Sequence, residues 1–239
     1  MTYIRDNNLD YEASAKKISP PVSRGLVAWH LLNTSLPKAR NNYAWDGADS
    51  GSSGSPIVSA NHIQLTNANR FDLPIYDSAE LTICSVWDEV GTTGVTANIA
   101  GRQQSGSLPN SLIYTASGSN GLRNVSFNSS HMVAGAVNAT AVNMTGVDMS
   151  VPRFIAAVAS NSAKNKLYDM TANRTVQYTA AHDERVVDQA GNFQLGGGAF
   201  TGLSRQYFCA IFQAALTEEE IREVYMWAKR YFAGRGVTI

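Results

Sequence analysis

Apolar positions along this chain follow two periods, and the clearest helical one comes last. Ile221, Val224, Tyr225, Ala228 and Phe232 recur at helical spacing and form one stripe. The start of that stripe carries matching signals. Thr217 is placed as an N-cap, Glu220 as the carboxylate of a capping box, and Leu216 and Ile221 as a hydrophobic staple. Glu218, Glu219 and Glu220 at the start, with Lys229 and Arg230 at the end, suit the helix dipole, and Gly234 closes the run. The spacing predicts an amphipathic helix from 217 to 233.

The rest of the chain reads in twos. Residues 80–89 alternate, with Leu81, Ile83, Ser85 and Trp87 on one face and Thr82, Cys84, Val86 and Asp88 on the other. Residues 206–212 are almost unbroken in apolar character, which predicts a strand covered on both sides. Shorter strands are predicted at 25–32, 97–101, 111–116, 122–127, 154–159, 166–170, 175–178 and 192–195, with 62–65 and 70–73 at a sheet edge. Gly196-Gly197-Gly198 is a sharp break, and residues 41–55 read as a loop whose 46–54 run holds no core residues. Residues 1–21 are polar and end in Ser19-Pro20-Pro21, which predicts an extended N-terminal arm ahead of one domain at 22–239.

Several of these stretches carry a family resemblance. Gly25-Leu26-Val27-Ala28-Trp29, the strand through Thr82-Ile83-Cys84-Ser85-Val86-Trp87, and the closing Ala215-Leu216-Thr217-Glu218-Glu219-Glu220-Ile221 after a Gly-rich turn and a buried strand are the first three. Together they resemble the laminin-G-like domains of the concanavalin A-like lectin and glucanase superfamily. Leu167-Tyr168-Asp169 resembles a hairpin of that family, although Met170 stands where the family usually has glycine. The resemblance implies an all-β fold, a concanavalin A-like jelly-roll sandwich of two antiparallel sheets with a C-terminal α-helix.

The final Tyr225-Met226-Trp227-Ala228-Lys229-Arg230-Tyr231-Phe232-Ala233-Gly234-Arg235-Gly236 run is similar to the ends of bacteriophage-encoded members. This implies a non-enzymatic virion or tail protein with a lectin-like domain that attaches to a partner protein or a cell-surface glycan. The arm would then contact other virion proteins, and by analogy with phage appendages the protein would be a homo-oligomer, a trimer. The alternative is a carbohydrate-active enzyme, a glycoside hydrolase or polysaccharide lyase, on the same fold.

Composition narrows the partners. Nineteen basic and nineteen acidic residues leave no net charge, and no Lys/Arg cluster stands ready for phosphate backbones, so no nucleic acid is expected. No apolar run reaches the roughly 18 residues of a membrane span. The polar N-terminus is not a secretory signal, so synthesis in a host cytoplasm and a place in the virion are expected. The two cysteines, Cys84 and Cys209, read as small core residues, and a disulfide between them does not follow from the sequence.

Catalytic patterns are missing from the strands. No strand carries Glu-x-Asp-x-x-Glu, and the adjacent Asp88 and Glu89 must point to opposite faces. The four histidines, His30, His62, His131 and His182, are scattered. Neither a nucleophile elbow nor a phosphate loop is present. No catalytic residue and no cofactor are therefore expected. For sugar binding the candidates are Arg102, Tyr114, Asn120 and Arg123 on or beside strands, and Trp45 in a rim loop. Asp46 and Asp49 in that loop invite a calcium reading, but the run lacks the alternating oxygen ligands of an EF-hand.

Overall fold

The computed structural model describes residues 17–89, 95–102, 111–187 and 191–239. These residues form two antiparallel sheets packed face to face, with one long helix laid on the outside. The first sheet contains β1 (Leu26–Leu31), β3 (Ile57–Val58), β4 (Ile63–Leu65), β6 (Leu81–Asp88), β11 (Arg153–Ala159), β12 (Lys166–Asp169), β13 (Arg174–Gln177) and β15 (Ser204–Phe212). Its order is β13-β12-β11-β6-β15-β4-β3, and β1 pairs with the second half of β15, beyond the end of β4. The second sheet contains β2 (Gly51–Ser53), β5 (Arg70–Leu73), β7 (Ala97–Arg102), β8 (Ser111–Ser117), β9 (Arg123–Val133), β10 (Ala136–Val147) and β14 (Phe193–Leu195). Its order is β10-β9-β8-β7-β14-β5-β2. Two helices complete the fold, α1 (Leu36–Arg40) and α2 (Glu218–Ala233). This is the expected jelly-roll sandwich closed by a C-terminal helix.

The first sheet is the middle layer, which is why β6 and β15 are so apolar. On one side Leu81, Ile83, Trp87 and Ile211 meet Ile113, Val125, Phe127 and Phe193 of the second sheet. On the other, Cys84, Val86, Ala210 and Phe212 meet Ile221, Val224 and Phe232 of α2. Each such large side chain, fully withdrawn from water, contributes roughly 1.5–3 kcal/mol before entropy is counted. The helix begins as its sequence predicts. Thr217 Oγ1 accepts from the Glu220 amide at 3.3 Å, and Glu220 Oε2 accepts from the Thr217 amide at 2.8 Å. The buried positions of α2 are the five of the predicted stripe.

Alternation also settles the cysteines. Cys84 lies opposite Ala210, and Cys209 lies opposite Ser85, so the two thiols emerge on different faces of the same sheet. Both are free and buried, and their Cβ vectors point apart, which no disulfide geometry tolerates.

Three departures from expectation have physical causes. Strand β10 has no counterpart among the predicted strands, and β9 runs past 127 to Val133. Their inward positions there are polar, His131 and Thr140, so apolar alternation fails. Strand β2 falls inside the predicted 41–55 loop, because Gly51–Ser53 pair with β5 through backbone and a Ser53 Oγ to Asp72 Oδ2 bond of 2.8 Å, with no apolar side chain to mark them. Strands β4 and β5 lie one place in from the edges, which are formed by the very short β3 and β2. Of the predicted arm, residues 1–16 lie outside the described residues. Lys17 and Ile18, before the expected boundary at 22, already pack on the domain.

Candidate functional site

The loop that joins α1 to β2 is built around one buried amide. Asn42 Oδ1 accepts from the amides of Trp29 and Ala44, each at 3.0 Å. Its Nδ2 donates to Val27 O at 2.9 Å and Ala48 O at 3.2 Å. Asp49 Oδ1 accepts from the Asn42 amide at 2.9 Å. Glycine is required at 47, since a Cβ there would collide with the Asn42 side chain. From the other side Lys17 Nζ donates to three carbonyls, Asn42 O at 3.0 Å, Ala44 O at 2.6 Å and Gly47 O at 3.0 Å. Tyr43 and Ala44 are thereby drawn into the helix-side core, and the next residue is turned outward.

That residue is Trp45. Its side chain is 78% exposed, the most exposed of the large hydrophobic residues among those described. Trp45 and Asp46 line a cleft of about 480 Å³ whose other wall is the segment from Lys17 to Pro20. A second cleft of about 280 Å³ adjoins it, sharing Leu26 and Asp46 and bounded by Tyr76 and Gln213. Tyr76 is 53% exposed. Two exposed aromatic rings thus flank a carboxylate on one rim of the sandwich. An aromatic face with a few polar groups in a concavity is the common make-up of a small-ligand or sugar site.

The other predicted residues lie elsewhere, and none lines these clefts. Tyr114 is central in β8 on the outward face of the second sheet, tilted against Phe200 with ring centroids 5.2 Å apart. Arg102 ends β7 and packs against Gly191, where a Cβ would strike its guanidinium. Asn120 occupies the β8–β9 turn with φ of 56° and is exposed. Arg123 is 4% exposed, and its Nε pairs with Glu89 Oε2 at 2.7 Å. Arg102 and Asn120 sit at opposite ends of β8, on the order of 20 Å apart at the usual strand rise. Asp49 is engaged in holding the loop, and the converging carbonyls are taken by Lys17. Among the described residues no group of three or more His, Cys, Asp or Glu side chains is placed to hold a metal ion.

Sequence reasoning missed Lys17, Leu26, Tyr76 and Gln213 as parts of the rim. Only Tyr76 left a signal, an aromatic residue just past a strand and Pro74. The two adjacent carboxylates behave as alternation requires. Asp88 turns toward the helix side, bound by Arg205 Nε at 2.5 Å, Arg205 Nη2 at 2.6 Å and the Tyr207 hydroxyl at 2.8 Å. Glu89 turns to the second sheet, where Thr115 donates to it and Arg123 pairs with it. Burial pushes the Glu89 carboxyl above its usual range, with Thr115 and Arg123 pulling it back. Burial and the bond to Asp88 push the Tyr207 phenol up. Neither carboxylate shares a cleft with the other.

No protein-family model matches the sequence, and no curated protein matches it. Solved structures match in fold. The receptor-binding domain of botulinum neurotoxin C/D mosaic serotype superposes with a TM-score of 0.59 at 15% identity, covering 86% of this chain and 52% of that one. The botulinum neurotoxin serotype D ligand-binding domain in complex with N-acetylneuraminic acid gives 0.58 at 13% identity, covering 90% and 52%. The binding domain of Paraclostridial Mosquitocidal Protein 1 gives 0.60 at 12% identity, covering 87% and 52%. The chain spans about half the length of these structures. At such identities the likeness is one of fold, a β-sandwich of the kind found in those binding domains.

Proposed function

We propose that this chain is a carbohydrate-binding attachment module, and that the Trp45 rim is where the glycan sits. The observation that carries the reading is the indole of Trp45, held out into water by a loop that has an elaborate interior. The exposed indole forgoes the burial it could have contributed to the core, and together with the Tyr76 ring and the Asp46 carboxylate it makes the aromatic and polar surface that sugar binding uses. The fold shared with a receptor-binding domain and with a ligand-binding domain solved with N-acetylneuraminic acid supports the same reading.

The finer proposal is that the module belongs to a bacteriophage virion or tail protein and docks particles to a host surface. In this reading the N-terminal arm contacts other virion proteins and the module works as a homo-oligomer, a trimer. The polar Asn-, Ser- and Thr-rich strands and the phage-like ending support it.

The test is binding of the full chain to an immobilised glycan array, beside its Trp45→Ala variant. Loss of at least about tenfold in affinity is expected, since removing a central aromatic anchor typically costs about 1.4 kcal/mol or more. Binding that survives the substitution would remove the rim as the site. Oligosaccharide release from a host polysaccharide, abolished by one carboxylate substitution, would replace an attachment role with an enzymatic one. Detection of the chain in purified virions tests the phage assignment.

A further inference from the structure

Charged side chains stand in and beside the rim. Lys17 has three N–H bonds, and three backbone carbonyls accept them at 2.6–3.0 Å, so its ammonium has no donor left for a ligand. Arg24, next to the cleft residue Ser23, lines neither cleft, and its charge is paired with Glu220. Its Nε and Nη2 bind the two Glu220 oxygens at 2.9 and 2.5 Å, and Nη2 also donates to Ala215 O at 2.8 Å. By contrast the Asp46 carboxylate is exposed and makes no hydrogen bond or ion pair with another described residue. It belongs to both clefts. Among the described residues the lining of these clefts therefore presents an acceptor pair, two serine hydroxyls at Ser19 and Ser23, and an indole face, and its one cation, Lys17, has no N–H left to offer.

We infer that the site takes a neutral sugar, an uncharged pyranose whose neighbouring hydroxyls donate to Asp46 while its C–H face lies on Trp45, and that it discriminates against sialylated and sulfated glycans. The two halves of the recognition follow from donor and acceptor inventories. A carboxylate accepts and never donates, so it suits a hydroxyl pair. A sugar acid brought within a few ångström of Asp46 meets a like charge, and Lys17, the cation among the described lining residues, has no N–H left to bind the acid group. This selectivity rests on the Trp45 rim being the glycan site.

The experiment compares matched pairs on the same array, each neutral glycan beside its sialylated counterpart, with lactose and 3′-sialyllactose as the solution probes. Wild-type protein is expected to bind the neutral member about tenfold or more tightly at low salt, with the gap narrowing in about 0.5 M salt as charge is screened. Asp46→Asn is expected to weaken the neutral probe and to shrink the discrimination to less than about threefold, because the like charge is gone while a carbonyl acceptor remains. Asp46 is exposed, so the variant folds as the parent does. Trp45-dependent binding that is equal or tighter for the sialylated member would overturn this inference and leave the attachment reading intact. A discrimination unchanged in Asp46→Asn would also overturn it. Absence of any Trp45-dependent glycan binding would overturn both.

Discussion

His30 should make this protein acid-sensitive by a predictable amount. It sits in β1, fully buried, facing the inter-sheet core with Ala28 and Leu32 as neighbours along its face. Its Nδ1 lies 3.2 Å from the Ala39 carbonyl. A carbonyl only accepts, so Nδ1 carries the proton and Nε2 is the bare nitrogen, which is buried without a partner. Protonating Nε2 would place an uncompensated charge in the core. Burial accordingly pushes the imidazole down from 6.5 to about 4. The native state thus binds fewer protons than the unfolded chain between those values. Stability is full above about pH 6.5, falls as pH drops toward 4, and levels off below. At about pH 5 the unfolded imidazole is almost wholly charged and the native one almost wholly neutral, a loss of about 2 kcal/mol. His131 adds a loss of the same sign. It too is buried and pushed down to about 4 by burial and then by His182, whose ring lies 4.0 Å away.

The assay is urea unfolding followed by tryptophan fluorescence at four values between about pH 7.5 and 4.5, on the parent chain and on His30→Leu. At about pH 7.5 the variant should be within about 1 kcal/mol of the parent, because the Ala39 carbonyl loses a donor while an orphaned nitrogen is removed. Between about pH 7.5 and 5 the parent should lose about 4 kcal/mol from the two imidazoles and the variant about 2. That loss is a large share of the stability of an ordinary domain, about 5–15 kcal/mol. Parallel pH curves for parent and variant would refute the reasoning, since they would mean that His30 takes up its proton in the folded state without penalty.

Two further outcomes test the supports of the fold and of the rim. Lys17→Met leaves three loop carbonyls without their charged donor and should cost about 1–3 kcal/mol in urea unfolding, with faster proteolysis in the 41–50 loop and weaker glycan binding. Arg185 and Asp77 form an ion pair at 2.6 Å with side chains 0% and 1% exposed. Arg185→Leu alone should cost about 3–5 kcal/mol by stranding the carboxylate, and Arg185→Leu with Asp77→Leu should recover most of it. A double variant no better than the single would show that the pair is not the source of the loss.

The elements legible in the sequence are those whose sides differ in polarity. The stripe of α2, the two faces of β6 and the double burial of β15 follow from period alone, because each apolar residue marks a direction. Strand β10 is illegible for the opposite reason. Thr140 faces inward, but its partners are Ser129, His131 and Asn165, a polar interior satisfied by side chains from β9 and from the turn before β12. Nothing local distinguishes such a threonine from a solvated one. Of the candidate site, Trp45, Asp46 and Asp49 are readable as residues of one rim loop, whereas Arg123 reads as a surface cation and proves to be half of a buried ion pair.

What the sequence determined by itself, then, was direction: which residues of each strand share a face, where the helix starts and stops, and that Asp88 and Glu89 diverge. Only the tertiary structure decided which polar groups are spent and which are free. Arg123 meets Glu89, Arg205 meets Asp88, and Lys17 fills the 42–47 loop because sheet order and register bring distant segments together. Side-chain direction is a property of consecutive residues, with a period of about two or 3.6. The satisfaction of a charge depends on a partner that the chain reaches only after it has folded.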